Sequence, residues 1–115
     1  MSATTERLKQ FTGAMLDIYK RALKEADYRA TIFLNMVNEH GGYDAAMTLI
    51  HAGRPSDGYT ALWQRGHLDL TVEALILRPE WWDIFTDEDR KAAFVRLQQY
   101  QFTVPSDSWH PAPSV

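Results

Sequence analysis

The sequence predicts an all-α fold, a compact single-domain bundle of five to seven helices whose long first helix packs against the last. Apolar residues repeat every three or four positions along the first 26 residues, which is the spacing of one helical face. Capping residues precede several apolar stretches, and no segment offers a convincing partner for a β-strand. The length of 115 residues is enough for one domain with one core.

The first predicted helix covers residues 4–26. Leu8, Phe11 and Met15 begin its apolar stripe, and charged residues fill the opposite face. Gly13 interrupts this helix, and a glycine there costs about 1 kcal/mol relative to alanine. The small residues around Gly13 either allow a second helix to cross closely or reflect a tolerated glycine, and the sequence favours neither.

Two shorter helices are predicted next. Asp27 is expected to cap a helix at residues 28–40, which the glycine pair at residues 41–42 ends. Asp44 is expected to cap a third helix at residues 45–52 in the same way. The physical reason is that an aspartate side chain accepts hydrogen bonds from the first N–H groups of a helix.

The middle of the chain contains a turn-rich loop at residues 54–58 and a short predicted helix at residues 59–65. Residues 68–77 begin with strand-like alternation and continue as an apolar run. We interpret them as a helix capped by Asp69, because no partner strand is evident elsewhere. Periodicity alone does not decide between the two, so a strand stays open as the alternative.

The last third of the chain has the clearest helix start. Pro79 suits the first position of a short helical turn. Thr86 is followed three residues later by an acidic residue, which predicts a capping box and a last helix at residues 87–101. The helical domain is therefore expected to span residues 1–102. Residues 103–115 contain three prolines and three serines and are predicted to form an extended or disordered tail.

The composition excludes several classes of protein. The net charge of −3 removes the usual electrostatic signature of a nucleic-acid-binding protein. The chain has no cysteine, which excludes a disulfide scaffold, a cysteine-based zinc site and a thiol nucleophile. Its apolar runs are too short to span a membrane, and its first residues lack the apolar stretch of a signal peptide. We therefore expect a cytoplasmic protein that does not bind membranes.

The histidines are the residues most able to support catalysis or metal binding. A small helical enzyme could use Glu39, His40, His51 or His67, and this alternative predicts a pocket in which at least two of them converge with perturbed pKa values. His40 and Asp44 have the spacing of a helical metal-ligand pair, but the two glycines between them break the helix. We therefore predict no catalytic residue, no metal site and no cofactor.

A second alternative is nucleic-acid binding through the basic face of the first helix. A solvated face balanced by acidic neighbours is the favoured interpretation of these cations, so nucleic acid is an unlikely partner. The segment at residues 58–73 has the outline of a helix-turn-helix, but its second helix carries carboxylates where phosphates would lie. The cations that would bind nucleic acid are Arg7, Lys9, Lys20, Arg21, Lys24 and Arg29.

A longer pattern carries a resemblance. Residues 55–75 read PSDGYTxLWxxGxLDLTVEAL, and Pro79-Glu80-Trp81 follows. This pattern resembles a family of small bacterial proteins of unknown function, over roughly residues 30–100. The resemblance implies a stand-alone module of bacterial or phage origin, and it implies no catalytic residue and no cofactor.

The aromatic residues carry the main functional hypothesis. Trp81 and Trp82 are adjacent, so their side chains point about 100° apart on a helical turn. A small core absorbs one of them easily, and the second either packs on its own domain or contacts a partner. Exposed tryptophan is enriched in the energetic centres of protein interfaces.

We therefore interpret the chain as a non-enzymatic protein-interaction module, a small bacterial or mobile-element regulator or inhibitor that occupies a partner surface. The partner is another protein or a second copy in a homodimer. An aromatic anchor would enter a partner pocket, and the loop near residue 56, whose side chains are not needed for the core, would supply polar contacts. The predicted partner-binding residues are Trp82, Tyr59, Arg54 and Asp57.

Overall fold

The computed structural model describes residues 4–112, and this range is helical with no β-strand. Its α-helices are α1 (Thr5–Ala26), α2 (Thr31–His40), α3 (Gly42–Ile50), α4 (Asp57–Gln64), α5 (Val72–Ile76) and α6 (Asp87–Gln99). Two short 3-10 helices cover Leu68–Leu70 and Pro79–Trp81. The predicted all-α class is confirmed, and residues 68–77 are helical rather than a strand. The Cα radius of gyration of 13.4 Å is that of one compact body.

Helix α1 begins and ends with local hydrogen bonds that fix its length. The Thr4 hydroxyl accepts from the Arg7 backbone N–H at 3.1 Å. At the other end Asp27 adopts a left-handed conformation, with φ of 52°, and its backbone N–H bonds to the Ala22 carbonyl. Asp27 therefore ends α1, and the prediction that it caps α2 is wrong. Helix α2 begins at Thr31 without a side-chain cap.

The close helix crossing that the sequence allowed at the small residues around Gly13 is confirmed: α3 crosses α1 at Thr12, and Gly42 of α3 is the glycine that makes the approach possible. A Cβ atom at Gly42 would lie 2.6 Å from the Thr12 Cα, so only glycine lets α3 approach α1 this closely. The Gly42 backbone N–H also donates to the Thr12 hydroxyl at 2.9 Å. Gly13 has open space around its Cβ position, and its glycine is simply tolerated.

This crossing changes the expected helix packing. Helix α1 packs mainly on α3 and α2, whereas α6 packs mainly on α5 and α3. The prediction that α1 packs directly against the last helix is therefore wrong, because α3 contacts both of them. Phe11 on α1 reaches the C-terminal half of the chain through edge-on contacts with Trp81 and Phe85.

Helix caps decide the remaining boundaries. Thr86 and Asp89 form the predicted capping box at the start of α6. Helix α3 begins at Gly42, so Asp44 lies in its first turn and does not cap it. Helix α5 is capped by the Thr71 hydroxyl, which accepts from the Ala74 N–H at 3.2 Å, and not by Asp69. Capping by these hydroxyls typically stabilises a helix by about 1 kcal/mol.

The C-terminal segment at residues 103–112 is non-helical, as predicted, and it packs back on the helices. Its Val104 is buried, and the Trp109 backbone N–H donates to the Leu77 carbonyl at 2.8 Å. The Trp109 ring packs edge-on against Phe94, with ring centres 6.1 Å apart. The last three residues of the predicted tail, 113–115, lie outside the described range.

Candidate functional site

An apolar cleft of about 300 Å³ lies between α1, α2, α4 and the segment that leads into α5. Cavities of this size and larger hold small ligands in many proteins, and their walls are mostly apolar with a few polar groups. This cleft has the same character. Its lining includes Ile18 of α1, Phe33 and Met36 of α2, Tyr59 of α4 and Thr71 just before α5. Tyr28, Ile32 and Glu73 also line it.

Helix α2 forms the least covered wall of the cleft. Val37 is its buried residue, whereas Phe33 and Met36 are half-buried along the cleft. Ile32 stands at the mouth with 71% of its surface exposed. Neighbouring residues on a helix point about 100° apart, and in α2 Phe33 is the more buried of this pair whereas Ile32 stays exposed. Helix α2 therefore presents apolar surface that the described chain does not cover.

The floor of the cleft contains a buried ion pair. Glu73 is only 3% exposed, and Arg96 of α6 donates to its carboxylate at 2.9 Å. Burial raises the pKa of Glu73, and the hydrogen bond from Arg96 opposes that rise. Arg96 also donates to the carbonyls of Leu49 and Ala52, at 3.0 and 2.7 Å. This network ties α3, α5 and α6 together beneath the cleft.

Tyr59 belongs to the wall of the cleft. Its side chain is 2% exposed, and its hydroxyl donates to the Arg96 carbonyl at 3.2 Å. Burial raises the pKa of Tyr59. The expectation that its side chain is not needed for the core is therefore wrong. Helix α4 begins at Asp57, two residues earlier than predicted, so Tyr59 lies in its first turn, and the Tyr59 ring packs edge-on against Tyr100 with ring centres 5.1 Å apart.

The rim of the cleft combines aromatic and charged groups. The guanidinium carbon of Arg65 lies 5.2 Å from the centre of the Tyr28 ring, which lines the cleft. Arg29 also lines it, and Arg54 is exposed on the loop that runs into it. Within residues 4–112 neither Arg29 nor Arg54 forms an ion pair. The charged residues that line the cleft are Arg29, the exposed Asp57 and the buried Glu73, so the lining has no excess of positive charge.

The predicted partner-binding residues therefore divide between two places. Asp57 and Tyr59 line the cleft, and the exposed Arg54 is close to it in the chain. Trp82 is not a cleft residue: it lies on the surface, 39% exposed, and its indole N–H donates to the Leu77 carbonyl at 2.9 Å. Trp81 is the member of the pair that enters the core.

The basic residues of α1 do not form one unopposed face. Arg7 donates two hydrogen bonds to the Asp83 carboxylate, at 2.9 and 2.8 Å, and Arg21 pairs with Glu25 at 2.7 Å. These hydrogen bonds lower the pKa of both carboxyls. The remaining cations, Lys9, Lys20, Lys24 and Arg29, are exposed. Two of the strongest candidates for phosphate contacts are thus already paired within the chain.

The histidines of the described range do not converge. His51 donates from Nε2 to the Asp89 carboxylate at 2.7 Å. His40 lies 3.8 Å from the adjacent Glu39. His67 lies 3.6 Å from Asp69, which is two residues further along the chain. Among residues 4–112, no three histidine, aspartate or glutamate side chains are grouped as metal ligands. Glu39 and His40 are the two candidates that lie close together, but they are exposed neighbours in the chain and do not line the cleft, so they do not form the predicted catalytic pocket.

The sequence pattern does not predict the cleft itself. The adjacent apolar residues Ile32 and Phe33 are a signal for it, since neighbouring helical residues point about 100° apart and one of such a pair can be left at the surface. The spacing of the apolar residues at 32, 33, 36 and 37 predicts one apolar face of the helix that includes both Ile32 and Phe33. Spacing reports which face is apolar, but it does not report whether a neighbouring helix covers that face.

Comparison with known proteins adds no further assignment. The chain matches no family model, no curated protein and no solved structure. The resemblance of residues 55–75 to small bacterial proteins stays a prediction. None of the helices in residues 4–112 is both long and apolar enough to cross a membrane.

Proposed function

We propose that this chain is a non-enzymatic protein-interaction module that receives an apolar side chain of a partner protein in the cleft. The observation that carries the proposal is the uncovered apolar wall of α2, with Ile32 mostly exposed at the mouth of a cavity of about 300 Å³. Burial of one leucine-sized or phenylalanine-sized side chain contributes about 1.5–3 kcal/mol to binding. An anchor in a well-formed pocket is the usual energetic centre of a protein interface.

The polar groups of the cleft suit binding better than catalysis. Glu73 is neutralised by Arg96, and the Tyr59 and Thr71 hydroxyls donate to backbone carbonyls. These groups already have hydrogen-bond partners, so they can orient a bound group without being drawn into proton transfer. We also propose that the module acts in the cytoplasm of a bacterium, as a regulator or inhibitor. Two features support this proposal: the chain has no cysteine, and residues 55–75 resemble small bacterial proteins.

A matched pair of surface variants tests the function. Ile32→Glu and Val95→Glu each place a carboxylate on an exposed apolar helical position, 71% and 41% exposed, but only Ile32 lies at the cleft. Glutamate in the first turn of α2 is also compatible with the helix, since the N-terminal dipole favours negative charge. Tagged protein is used to capture partners from an extract of the cells that produce it, and the captured proteins are quantified by mass spectrometry.

The expected result is a specific protein that is retained by wild type and by Val95→Glu and lost with Ile32→Glu. The same loss with both variants, or retention by both, contradicts binding at the cleft. Failure of wild type to retain any protein contradicts the interaction module itself. Nuclease treatment separates the alternative: capture that disappears only with nuclease supports nucleic-acid binding by α1 instead.

A further inference from the structure

We propose that the group which enters the cleft is a tryptophan side chain of the partner protein, with its indole N–H donated to the carboxylate of Glu73. The inference rests on the proposed function and names the chemistry of the partner's anchor. Three features of the cleft select this group: a buried hydrogen-bond acceptor, a lining without an excess of either charge, and a volume suited to two fused rings.

The acceptor is the carboxylate of Glu73, a residue that lines the cleft although it is only 3% exposed. An ionised carboxylate accepts about four hydrogen bonds. Arg96 donates one at 2.9 Å, and the backbone N–H of Glu73 itself donates another. No other residue among 4–112 donates to this carboxylate. Glu73 therefore keeps acceptor capacity at a place that water hardly reaches, where a donor on the partner has little competition from solvent.

The charges of the lining favour a neutral donor over a charged one. Arg96 already balances the charge of Glu73, so a third charge brought beside this buried pair would be desolvated without a counter-ion of its own. The exposed Arg29 and Asp57 carry opposite charges. Lysine and arginine anchors are thus disfavoured. The neutral donors among large apolar side chains are the indole of tryptophan and the phenol of tyrosine.

The volume of the cleft distinguishes these two side chains. A cavity of about 150 Å³ holds a benzene molecule. The cleft has about 300 Å³, which suits the two fused rings of an indole better than a single phenol ring. Tyr28 and Phe33 contribute aromatic walls, and Ile18 and Met36 contribute the other apolar contacts. A buried indole N–H needs an acceptor, and Glu73 is the buried carboxylate in this lining.

A pair of isomeric ligands tests the hydrogen bond without any change to the protein. The isomers 3-ethylindole and N-methylskatole contain the same atoms and the same two fused rings, but only 3-ethylindole has an N–H. Binding to the wild-type chain is measured by titration while the backbone amide resonances are followed by NMR. We expect 3-ethylindole to shift the amides of cleft residues such as Phe33 and Met36. N-methylskatole should bind roughly 10- to 100-fold more weakly, because it cannot make the hydrogen bond to a charged group.

Two more ligands test the ring and its source. The one-ring donor 4-ethylphenol should bind more weakly than 3-ethylindole. N-acetyltryptophanamide carries the indole on a peptide-like backbone and should bind at least as tightly, because the mouth of the cleft beside the exposed Ile32 is open to that backbone. Equal binding of 4-ethylphenol overturns tryptophan as the anchor. A cleft that takes the free indole but not N-acetyltryptophanamide also overturns it, since the cleft is then a small-molecule site.

The double variant Glu73→Leu with Arg96→Met identifies the acceptor. It replaces both buried charges with apolar groups of similar size, a change that folded proteins often tolerate. The preference for 3-ethylindole over N-methylskatole should disappear in this variant and persist in Val95→Glu, which changes a surface outside the cleft. A preference that survives in the double variant overturns the role of Glu73. If the double variant does not fold, the ratio of the two affinities in the wild-type chain decides.

Failure of this inference is distinguishable from failure of the proposed function. Equal affinities of the two isomers, or binding of neither, overturn the tryptophan anchor. If the chain then still captures a protein that Ile32→Glu loses, the interaction module stands with another apolar anchor. If the wild-type chain captures no protein at all, the interaction module falls, and a partner's tryptophan falls with it.

Discussion

Replacement of Arg96 by methionine tests the buried network beneath the cleft. The Arg96 and Glu73 side chains are 11% and 5% exposed, and their charged atoms are 2.9 Å apart. Removal of one partner from a buried ion pair typically costs about 3–5 kcal/mol, because the other charge stays buried without compensation. Small domains unfold with only about 5–15 kcal/mol in total. We therefore expect Arg96→Met to remove a large fraction of the stability and to lower Tm by at least roughly 12 °C.

The pH dependence identifies the cause of this loss. Burial already raises the pKa of Glu73 in the folded chain, and the loss of Arg96 removes the interaction that opposes the rise. A carboxyl whose pKa is raised on folding favours the folded state when protonated, and this contribution is lost as the pH rises through the folded pKa. The stability deficit of Arg96→Met should therefore shrink as the pH falls toward the ordinary glutamate value of 4.5.

The assay is urea unfolding followed by circular dichroism, at pH 7 and at pH 4.5. Arg21→Met is the matched control, because Arg21 forms an exposed pair with Glu25 at 2.7 Å and such pairs contribute about 0–1 kcal/mol. The double variant Glu73→Gln with Arg96→Met should recover part of the loss, since no buried charge remains. A loss below about 1 kcal/mol at pH 7, or a loss that does not change with pH, would refute the reasoning.

Two further predictions concern positions away from the cleft. Gly42→Ala should destabilise the fold by about 1–3 kcal/mol, because the added Cβ meets the Thr12 backbone. Gly13→Ala should stabilise the fold by about 0.5–1 kcal/mol, because its Cβ would lie in open space. Equal effects of the two variants in thermal melts would contradict the packing of α3 on α1. Burial would raise the pKa of Asp89, but hydrogen bonds from the Thr86 N–H and from His51 lower it on balance. Its stabilising contribution is therefore present above its ordinary value of 3.8 and lost below it, so Asp89→Asn should flatten the acid limb of the stability curve.

Local signals in the sequence were enough to predict several features of the fold. The capping box of Thr86 with Asp89 and the helical turn that starts at Pro79 were predicted correctly. In both cases the groups that start the helix lie within three residues of one another in the sequence. The caps assigned to Asp27 and Asp69 were wrong for a different reason. At each position another hydrogen bond decides the helix boundary. The Asp27 backbone N–H bonds to the Ala22 carbonyl in a left-handed turn that ends α1, and the Thr71 hydroxyl, not the Asp69 carboxylate, caps α5.

The candidate site was harder to predict than the fold. Ile32, Phe33 and Met36 show correct apolar spacing for α2, and spacing contains no information about how much of that face another helix covers. Tyr59 illustrates the converse, since it follows a polar turn in the sequence and yet its side chain is buried against Tyr100. The Glu73–Arg96 pair joins residues 23 positions apart, and no periodic pattern links them.

The Leu77 carbonyl accepts hydrogen bonds from two tryptophans, the indole N–H of Trp82 and the backbone N–H of Trp109. Its two lone pairs are thereby used by donors that lie 27 positions apart in the chain. A ribosome adds residues from the N-terminus, so Trp82 is synthesised well before Trp109. The hydrogen bond from Trp109 to the Leu77 carbonyl therefore cannot form until all six α-helices of the described chain have been synthesised, whereas the bond from Trp82 needs no residue beyond position 82.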